Sequence, residues 1–283
     1  MKQQSVDIIL PIYKPKAFII DTINSIINQT FNNWHLYIID DASDDGSIGM
    51  LKEKFVDYSN KISYYELNIN KRAAACRNYA IQKGNGVYIS FIDQDDIWLR
   101  NKIELQIDYF NQNDCIDSVH GNLQLIDNRG EIILEDQWKK ENYKRSICNW
   151  QNSSNIELAN QLLSHPNIRI ISSMIKRRLF EDVGGFKEEY FGGEDMTFWF
   201  EVALCGNIGY IDEILFHRRI HDNNTVKKFK GPRLISYLKA LDYLKSTYDC
   251  VDKSIYRQRY YSKCLTGFKY YLNKKKYILS VRY

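Results

Sequence analysis

The chain has 283 residues, 44% of them hydrophobic and 26% charged, with 14 Gly, only 4 Pro and a formal net charge of +4. Disordered and collagen-like chains are excluded, and one large domain or two modest ones remain, with ample material for a core. The small net charge averages two unlike parts: residues 1–225 carry 24 Lys and Arg against 32 Asp and Glu, and residues 226–283 carry 15 against 3. An acidic body precedes a basic tail, and such a tail suits an anionic partner, either nucleic acid or a membrane surface.

In chain order, Val6–Ile12 is an apolar run that predicts a strand, and Ala17–Ile27 carries apolar residues at helical spacing. Leu36–Ile39, Ile62–Leu67 and Val87–Ile92 predict further strands, separated by helices over Ser47–Phe55 and Ala73–Lys83 and followed by one over Leu99–Asn111. This alternation implies βαβ units and a doubly wound, mostly parallel sheet, with ligands at the carboxyl ends of the strands. Beyond Asn113 the pattern loosens. Strands are expected at Ser118–Ile126, Ile168–Ile175 and Ile208–Phe216, a helix at Met196–Leu204, and a polar, irregular insertion over Gly130–Asn155 with Trp138 and Trp150. Leu234, Leu238, Leu241 and Tyr248, and then Tyr256, Tyr260, Cys264, Phe268 and Leu272, predict a helical tail, with Gly231-Pro232 as the hinge before it.

Six scattered cysteines, Cys76, Cys115, Cys148, Cys205, Cys250 and Cys264, form no C-x-x-C pair, so zinc-finger and redox readings lack support. Met1 to Asp7 is polar, no apolar run approaches the length of a spanning helix, and a cytoplasmic protein with reduced thiols is expected.

Carboxylates gather at two strand ends. The second strand runs into Asp40-Asp41-Ala42-Ser43-Asp44-Asp45-Gly46-Ser47, the fourth into Asp93-Gln94-Asp95-Asp96. Two such clusters repel unless a cation or hydrogen-bond donors lie between them, and hard oxygen ligands suit Mg2+ or Mn2+ rather than zinc. Asp-rich loops also cap the helix that follows, and that role stays open for Asp96 and Ser47.

With Pro11-Ile12-Tyr13, Cys76-Arg77-Asn78, Gly184-Gly185-Phe186, Gly192-Gly193-Glu194-Asp195 and Arg219-Ile220-His221 added in this order, residues 5–225 resemble the inverting family 2 glycosyltransferases, which share the GT-A fold. The resemblance implies a GT-A domain over 1–225, with a nucleotide-binding half (1–113) and an acceptor-binding half (114–225), followed by a basic helical tail (226–283). It further implies that Pro11, Tyr13, Asp40, Asp41, Arg77 and Asp93 bind the donor, that Asp95 and His221 hold Mn2+ or Mg2+, and that Asp195 is the general base with Glu194 beside it. A divalent ion neutralises the leaving diphosphate, and a carboxylate takes the proton of the attacking hydroxyl. The donor would be a nucleotide sugar, UDP-glucose or UDP-galactose, with a dTDP-rhamnose donor as the alternative. The acceptor would be a lipid-linked saccharide of the undecaprenyl-diphosphate type, in O-antigen or capsule assembly.

Trp98 and Trp199 follow the two acidic motifs and are candidates to stack on an acceptor sugar, with core packing as the other role. The pattern departs from the family at Arg72, where glycine is common, and Lys71 and Arg72 either face the diphosphate or are a solvated helix start. Ten of the 21 tyrosines lie in 226–283 among Lys and Arg, including Lys274-Lys275-Lys276. Aromatic–basic helices suit an anionic bilayer interface, and with the lipid-linked acceptor that the resemblance implies the protein is expected at the inner face of the cell membrane. The other role for the tail is to pack its apolar faces on the body with its basic faces solvated. No nucleic-acid motif accompanies the tail, so no nucleic-acid partner is expected. The reading from another class is a non-catalytic module that binds anionic lipid or RNA. A nucleotidyltransferase lacks its phosphate-cradling glycine loop.

Overall fold

An apolar run without polar alternation marks a strand covered on both faces. In the computed structural model, which describes residues 4–135, 153–165, 168–221 and 230–280, the first such run forms β1 (Val6–Ile12), buried at every residue except Pro11. Strands β2 (Trp34–Asp40), β3 (Ile62–Glu66) and β4 (Tyr88–Phe91) join it in parallel, in the order β3-β2-β1-β4. Helices α1 (Phe18–Ile27), α2 (Ser47–Lys54) and α3 (Arg72–Ile81) make the connections. Ile12 lies opposite Asp40 in the β1–β2 register, so the first two motif loops leave the sheet side by side.

The second half widens this sheet. After β5 (Ile97–Trp98) and α4 (Lys102–Gln112) come β6 (Ser118–Ile126), β7 (Ile132–Leu134), α5 (Asn155–Ser164), β8 (Met174–Lys176), α6 (Arg177–Asp182), α7 (Glu194–Cys205) and β9 (Ile208–Arg219). The order is β3-β2-β1-β4-β8-β6-β9-β5, with β7 on β6. Short β8 enters antiparallel between β4 and β6, while the long β6–β9 ladder is parallel, so the sheet is mostly parallel as expected.

Two expectations are corrected. Ile168–Ile175 is not one strand: residues Ile170–Ser172 form a 3-10 turn before β8. Ser172 Oγ donates to the Arg169 carbonyl and Ser173 Oγ to that of Ile170, both at 2.7 Å, and such local bonds curl the backbone out of the extended state. Gly231-Pro232 is not a hinge but part of the first turn of α8 (Lys230–Thr247), where proline's missing N–H has no intrahelical partner to lose. Of the expected insertion, β7 and the start of α5 are seen. Trp138 and Trp150 lie outside the described residues.

The tail is helical, α8 followed by α9 (Lys253–Ser280), and it shares the core of the body. Tyr237, Ala240, Leu241, Leu244 and Val251 are buried in the same apolar cluster as the sheet. Asn160 of α5 donates to the Cys250 carbonyl and accepts from the Asp252 N–H, both at 2.8 Å. Glu201 of α7 accepts the hydroxyls of Tyr243 at 2.9 Å and Tyr248 at 3.0 Å, and Lys187 Nζ lies 3.4 Å from its other oxygen. Among the described residues no helix is long and apolar enough to cross a membrane.

Candidate active site

The turn after β4 gives its four polar side chains separate tasks. Gln94 accepts the Tyr13 N–H at 2.8 Å and donates to the Tyr13 carbonyl at 3.2 Å, pinning the loop after β1. Asp96 is buried and accepts the Arg219 N–H at 2.9 Å, which fastens the end of β9 rather than capping α4. Burial, with Asp95 and Asp93 close by, pushes its carboxyl well up. Asp93 and Asp95 are left to face the cleft.

Asp93 Oδ1 meets Arg77 Nη2 at 3.0 Å. Arg77 stands on α3 with a side chain only 5% exposed, and its Nη1 is 3.5 Å from Asp195 Oδ1. Burial opposes the Arg77 charge, but Asp93, Asp195 and Glu194 outweigh it and hold the pKa above its ordinary value. Asn78, the next residue, donates to the Phe186 carbonyl at 2.9 Å and accepts the Phe186 N–H at 3.0 Å. The Phe186 ring lies 5.5 Å from the Arg77 guanidinium. Cys76-Arg77-Asn78 and Gly184-Gly185-Phe186 are therefore one unit that aims Arg77.

Asp195 lies in the first turn of α7, behind Gly192-Gly193. Gly192 has φ +94°, and a Cβ on Gly193 would lie 2.5 Å from Ala240 Cβ of α8, so glycine is needed at both. Glu194 accepts the Gly192 N–H. Neither acid is an N-cap: that position is Gly193. The Asp195 side chain is 48% exposed toward the cleft, while its Oδ1 is covered and makes no hydrogen bond. Burial pushes its carboxyl up and Asp93 adds to this, with Arg77, Arg233 and Arg169 pulling the other way. Burial and Asp195 raise Glu194 likewise. A carboxylate with a raised pKa and part of its side chain open to a cleft has the properties of a general base.

Asp95 Oδ2 is 2.8 Å from His221 Nε2, which brings the two expected metal ligands together across 126 residues of chain. Among the described residues no three ligating side chains converge on one point. The pair nevertheless fits a hard divalent ion that takes its remaining ligands from phosphate oxygens. Burial and the nearby Asp93 push the Asp95 carboxyl up, a disfavoured charge that a cation would relieve.

The donor side is built differently. The Tyr13 ring is 45% exposed beside the half-buried Pro11. Asp40 accepts the N–H of Ser43 at 3.0 Å and also its hydroxyl. Asp41 accepts the N–H groups of Lys71 at 2.6 Å and Arg72 at 2.8 Å, so it serves the start of α3, thirty residues on, rather than α2. Arg72 has φ +71°, a conformation glycine adopts freely, and it is held there by this bond and by Phe191, whose ring lies 4.2 Å from the guanidinium.

The two tryptophans part company. Trp98 is 2% exposed beneath the Lys102 ammonium, 4.0 Å from its ring, so it belongs to the core and offers no face to a sugar, against the expectation of an acceptor contact. Trp199, itself only 4% exposed and packed in the core, has an edge on a cavity of about 480 Å³ that is also lined by Asp195, Met196, Arg233, Tyr237 and Lys263. Gln94, Arg219, Arg233 and Lys263 escaped the sequence reading. For Gln94 and Arg219 the signal was their place inside the quoted motifs, and for the two tail cations there was none.

Residues 7–184 match the family model described as glycosyl transferase family 2. Among curated relatives, the Escherichia coli protein named UDP-Glc:alpha-D-GlcNAc-diphosphoundecaprenol beta-1,3-glucosyltransferase WfgD is 29% identical over 213 residues, 75% of each chain. The O-antigen biosynthesis glycosyltransferase WbnJ of Escherichia coli is 28% identical over 226 residues, 78% of this chain and 82% of its own. An uncharacterized glycosyltransferase of Rickettsia bellii is 29% identical over 83% of this chain, which spans only 31% of that relative's length. The backbone superposes on S. aureus TarS 1-349 in complex with UDP-GlcNAc with a TM-score of 0.66 at 15% identity, covering 93% of this chain and 73% of that one. It also superposes on the mannosyltransferase PcManGT of Pyrobaculum calidifontis, in complex with GDP-Man and Mn2+, with a TM-score of 0.65 at 14% identity, covering 92% and 70%. These likenesses establish the GT-A fold.

Proposed function

Since the chain belongs to glycosyl transferase family 2, we propose that it transfers a hexose, with inversion, from a nucleotide sugar to a lipid-linked saccharide. The observation that carries this reading is Asp195: a carboxylate raised by burial, with part of its side chain open to a ligand-sized cavity that it lines, and with Oδ1 3.5 Å from the cation that also holds Asp93. The likeness to WfgD favours UDP-glucose, or UDP-galactose, as donor and a GlcNAc-diphosphate-lipid as acceptor, in O-antigen or capsule assembly.

Pro11 and Tyr13 line the nucleotide pocket, Asp40 and Asp41 shape its wall through the N–H groups of Ser43, Lys71 and Arg72, and Asp93 meets the ribose or the donor sugar. Asp95 and His221 would hold Mn2+ or Mg2+, which supplies a Lewis acid for the departing diphosphate when bound. Arg77 keeps Asp93 and Asp195 at a fixed separation without transferring a proton itself. Asp195 takes the proton of the acceptor hydroxyl, Glu194 orients its loop through the Gly192 N–H, and Trp199 borders the acceptor. Residues 1–113 thus serve the donor, 114–225 the acceptor, and 226–283 the tail.

The tail supports attachment to the inner face of the cell membrane. Tyr261, Leu265, Phe268 and Leu272 of α9 are 66, 60, 63 and 41% exposed and recur at helical spacing, an apolar stripe on a basic helix.

Incubation with UDP-glucose or UDP-galactose, GlcNAc-diphosphate-lipid and Mn2+ should give a β-linked product, and EDTA should abolish it. Asp195→Asn should fold normally and lose about 10²–10⁴-fold in rate. An α-linked product from the α-linked donor, or near-normal transfer by the variant, would overturn the mechanism.

A further inference from the structure

The first turns of α9 pack Ile255, Tyr256 and Tyr260 against the core as an ordinary surface helix does, but from Tyr261 onward the pattern is inverted. Its apolar stripe, Tyr261, Leu265, Phe268 and Leu272, faces outward. Arg259, Lys263, Thr266 and Tyr270 repeat the same spacing two residues out of step, about 200° round the helix. Lys263, Thr266 and Tyr270 line the cavity that also contains Asp195. Arg233 of α8 lines it as well, with its guanidinium 5.3 Å from the Phe191 ring.

Glu194 and Asp195 feel the Arg233 charge from beyond contact distance. Among the described residues neither Arg233 nor Lys263 has a carboxylate within ion-pair distance, and Lys263 Nζ rests 4.4 Å from the Tyr237 ring. Arg259 donates to the Tyr237 hydroxyl behind it. Burial, with Arg259 and Arg233 near, pushes the Lys263 ammonium below its ordinary pKa, as expected of like charges gathered out of water. The cavity volume, about 480 Å³, is in the range of small-ligand sites. A cationic, aromatic-walled cavity next to a general base calls for an anionic ligand that carries a reactive hydroxyl.

We propose that Arg233 and Lys263 bind the diphosphate of the acceptor, so that the sugar it bears reaches Asp195 while its lipid leaves toward the apolar face of α9. This rests on the transfer reading above. A saccharide–diphosphate–lipid carries one negative charge on each phosphate, a complement to Arg233 and Lys263 in a cavity that Arg169 also lines. A phospholipid headgroup shares the phosphate chemistry, but the cations face the catalytic cavity, away from the stripe that would meet a bilayer.

The test is calorimetric titration of the full chain and of Lys263→Gln and Arg233→Gln, each checked for an unchanged thermal transition. The probes are GlcNAc-diphosphate on a short alkyl chain, the same alkyl GlcNAc without phosphate, UDP-glucose, and phosphatidylglycerol vesicles. Each variant should weaken the diphosphate probe about tenfold or more, the scale of a lost charge-assisted contact. The other three should be unaffected, and Lys263→Arg should restore binding. Unchanged diphosphate binding, an equal loss for the phosphate-free probe, or a loss confined to vesicles overturns the proposal. Turnover by the wild type with unchanged binding in the variants removes this site alone. Absence of turnover with every donor removes the transfer reading and the acceptor role with it.

Discussion

The loop after β2 and the loop after β4 leave neighbouring regions of one parallel sheet with the same residue type, yet their aspartates have opposite surroundings. Asp40 and Asp41 are buried and turn toward backbone N–H groups of Ser43, Lys71 and Arg72. Asp93 and Asp95 meet side-chain groups carried in from distant elements, Arg77 and His221. A carboxylate bonded to backbone amides shapes a loop, and one that meets a side chain at the edge of the cleft remains available to a ligand. Place at a strand end therefore does not separate scaffold from chemistry. The partner does.

That contrast is sharpest in its largest expected effect. Asp95→Asn should cost about 10²–10³-fold in transfer rate, comparable to removing one group that stabilises developing charge, with little change in thermal stability. A variant that retains its rate would place Asp95 with the loop-shaping carboxylates. Next comes pH. The base must be ionised, and burial raises Asp195, so kcat/KM should fall as pH drops through a pKa above the ordinary carboxylate value of about 3.9. Arg77 lowers that pKa, so Arg77→Gln should move the acid limb to higher pH, and an unmoved limb would mean that Arg77 does not act on the base. Asp41→Asn should act on stability, by about 1–2 kcal/mol in denaturant unfolding, because an amide cannot accept both N–H groups as the carboxylate does. The smallest effect is Ser43→Ala, about 0.5–1.5 kcal/mol, from the bond of its hydroxyl to Asp40. If either of the last two altered rate without altering stability, the division between the loops would fail.

Much of this was legible before any coordinates. Strands β1 to β4 are short apolar runs between helical patterns, a signal local to each segment, and their carboxyl ends follow from the alternation alone. The convergence of Arg77, Asp93, Asp95, Asp195 and His221 was readable because motif residues stand at element ends that the fold brings together. What escaped depends on distance. That Asp41 serves α3 follows from the β2–β3 crossover and not from the neighbours of Asp41. Trp98 and Trp199 have equivalent sequence settings, and only the position of Lys102 over one and of the cavity beside the other separates them. Arg233 and Lys263 are, in sequence, two of fifteen basic residues in 226–283. Their inward direction depends on how α8 and α9 dock. The 3-10 turn at Ile170–Ser172 was hidden because β-branched composition outweighed two serine hydroxyls in the reading, though not in the chain.

Glu201 sits on the same helix as Asp195, its side chain 4% exposed, and two tyrosine hydroxyls from beyond residue 240 cover one of its oxygens. A messenger cut short after β9 would encode a chain whose α7 carries an uncovered charge where those tyrosines belong. Such a product should lose cooperative unfolding and be cleared by proteases. Selection acting on α7 therefore also preserves Tyr243 and Tyr248, a constraint that reaches from one end of the chain's second half into its tail.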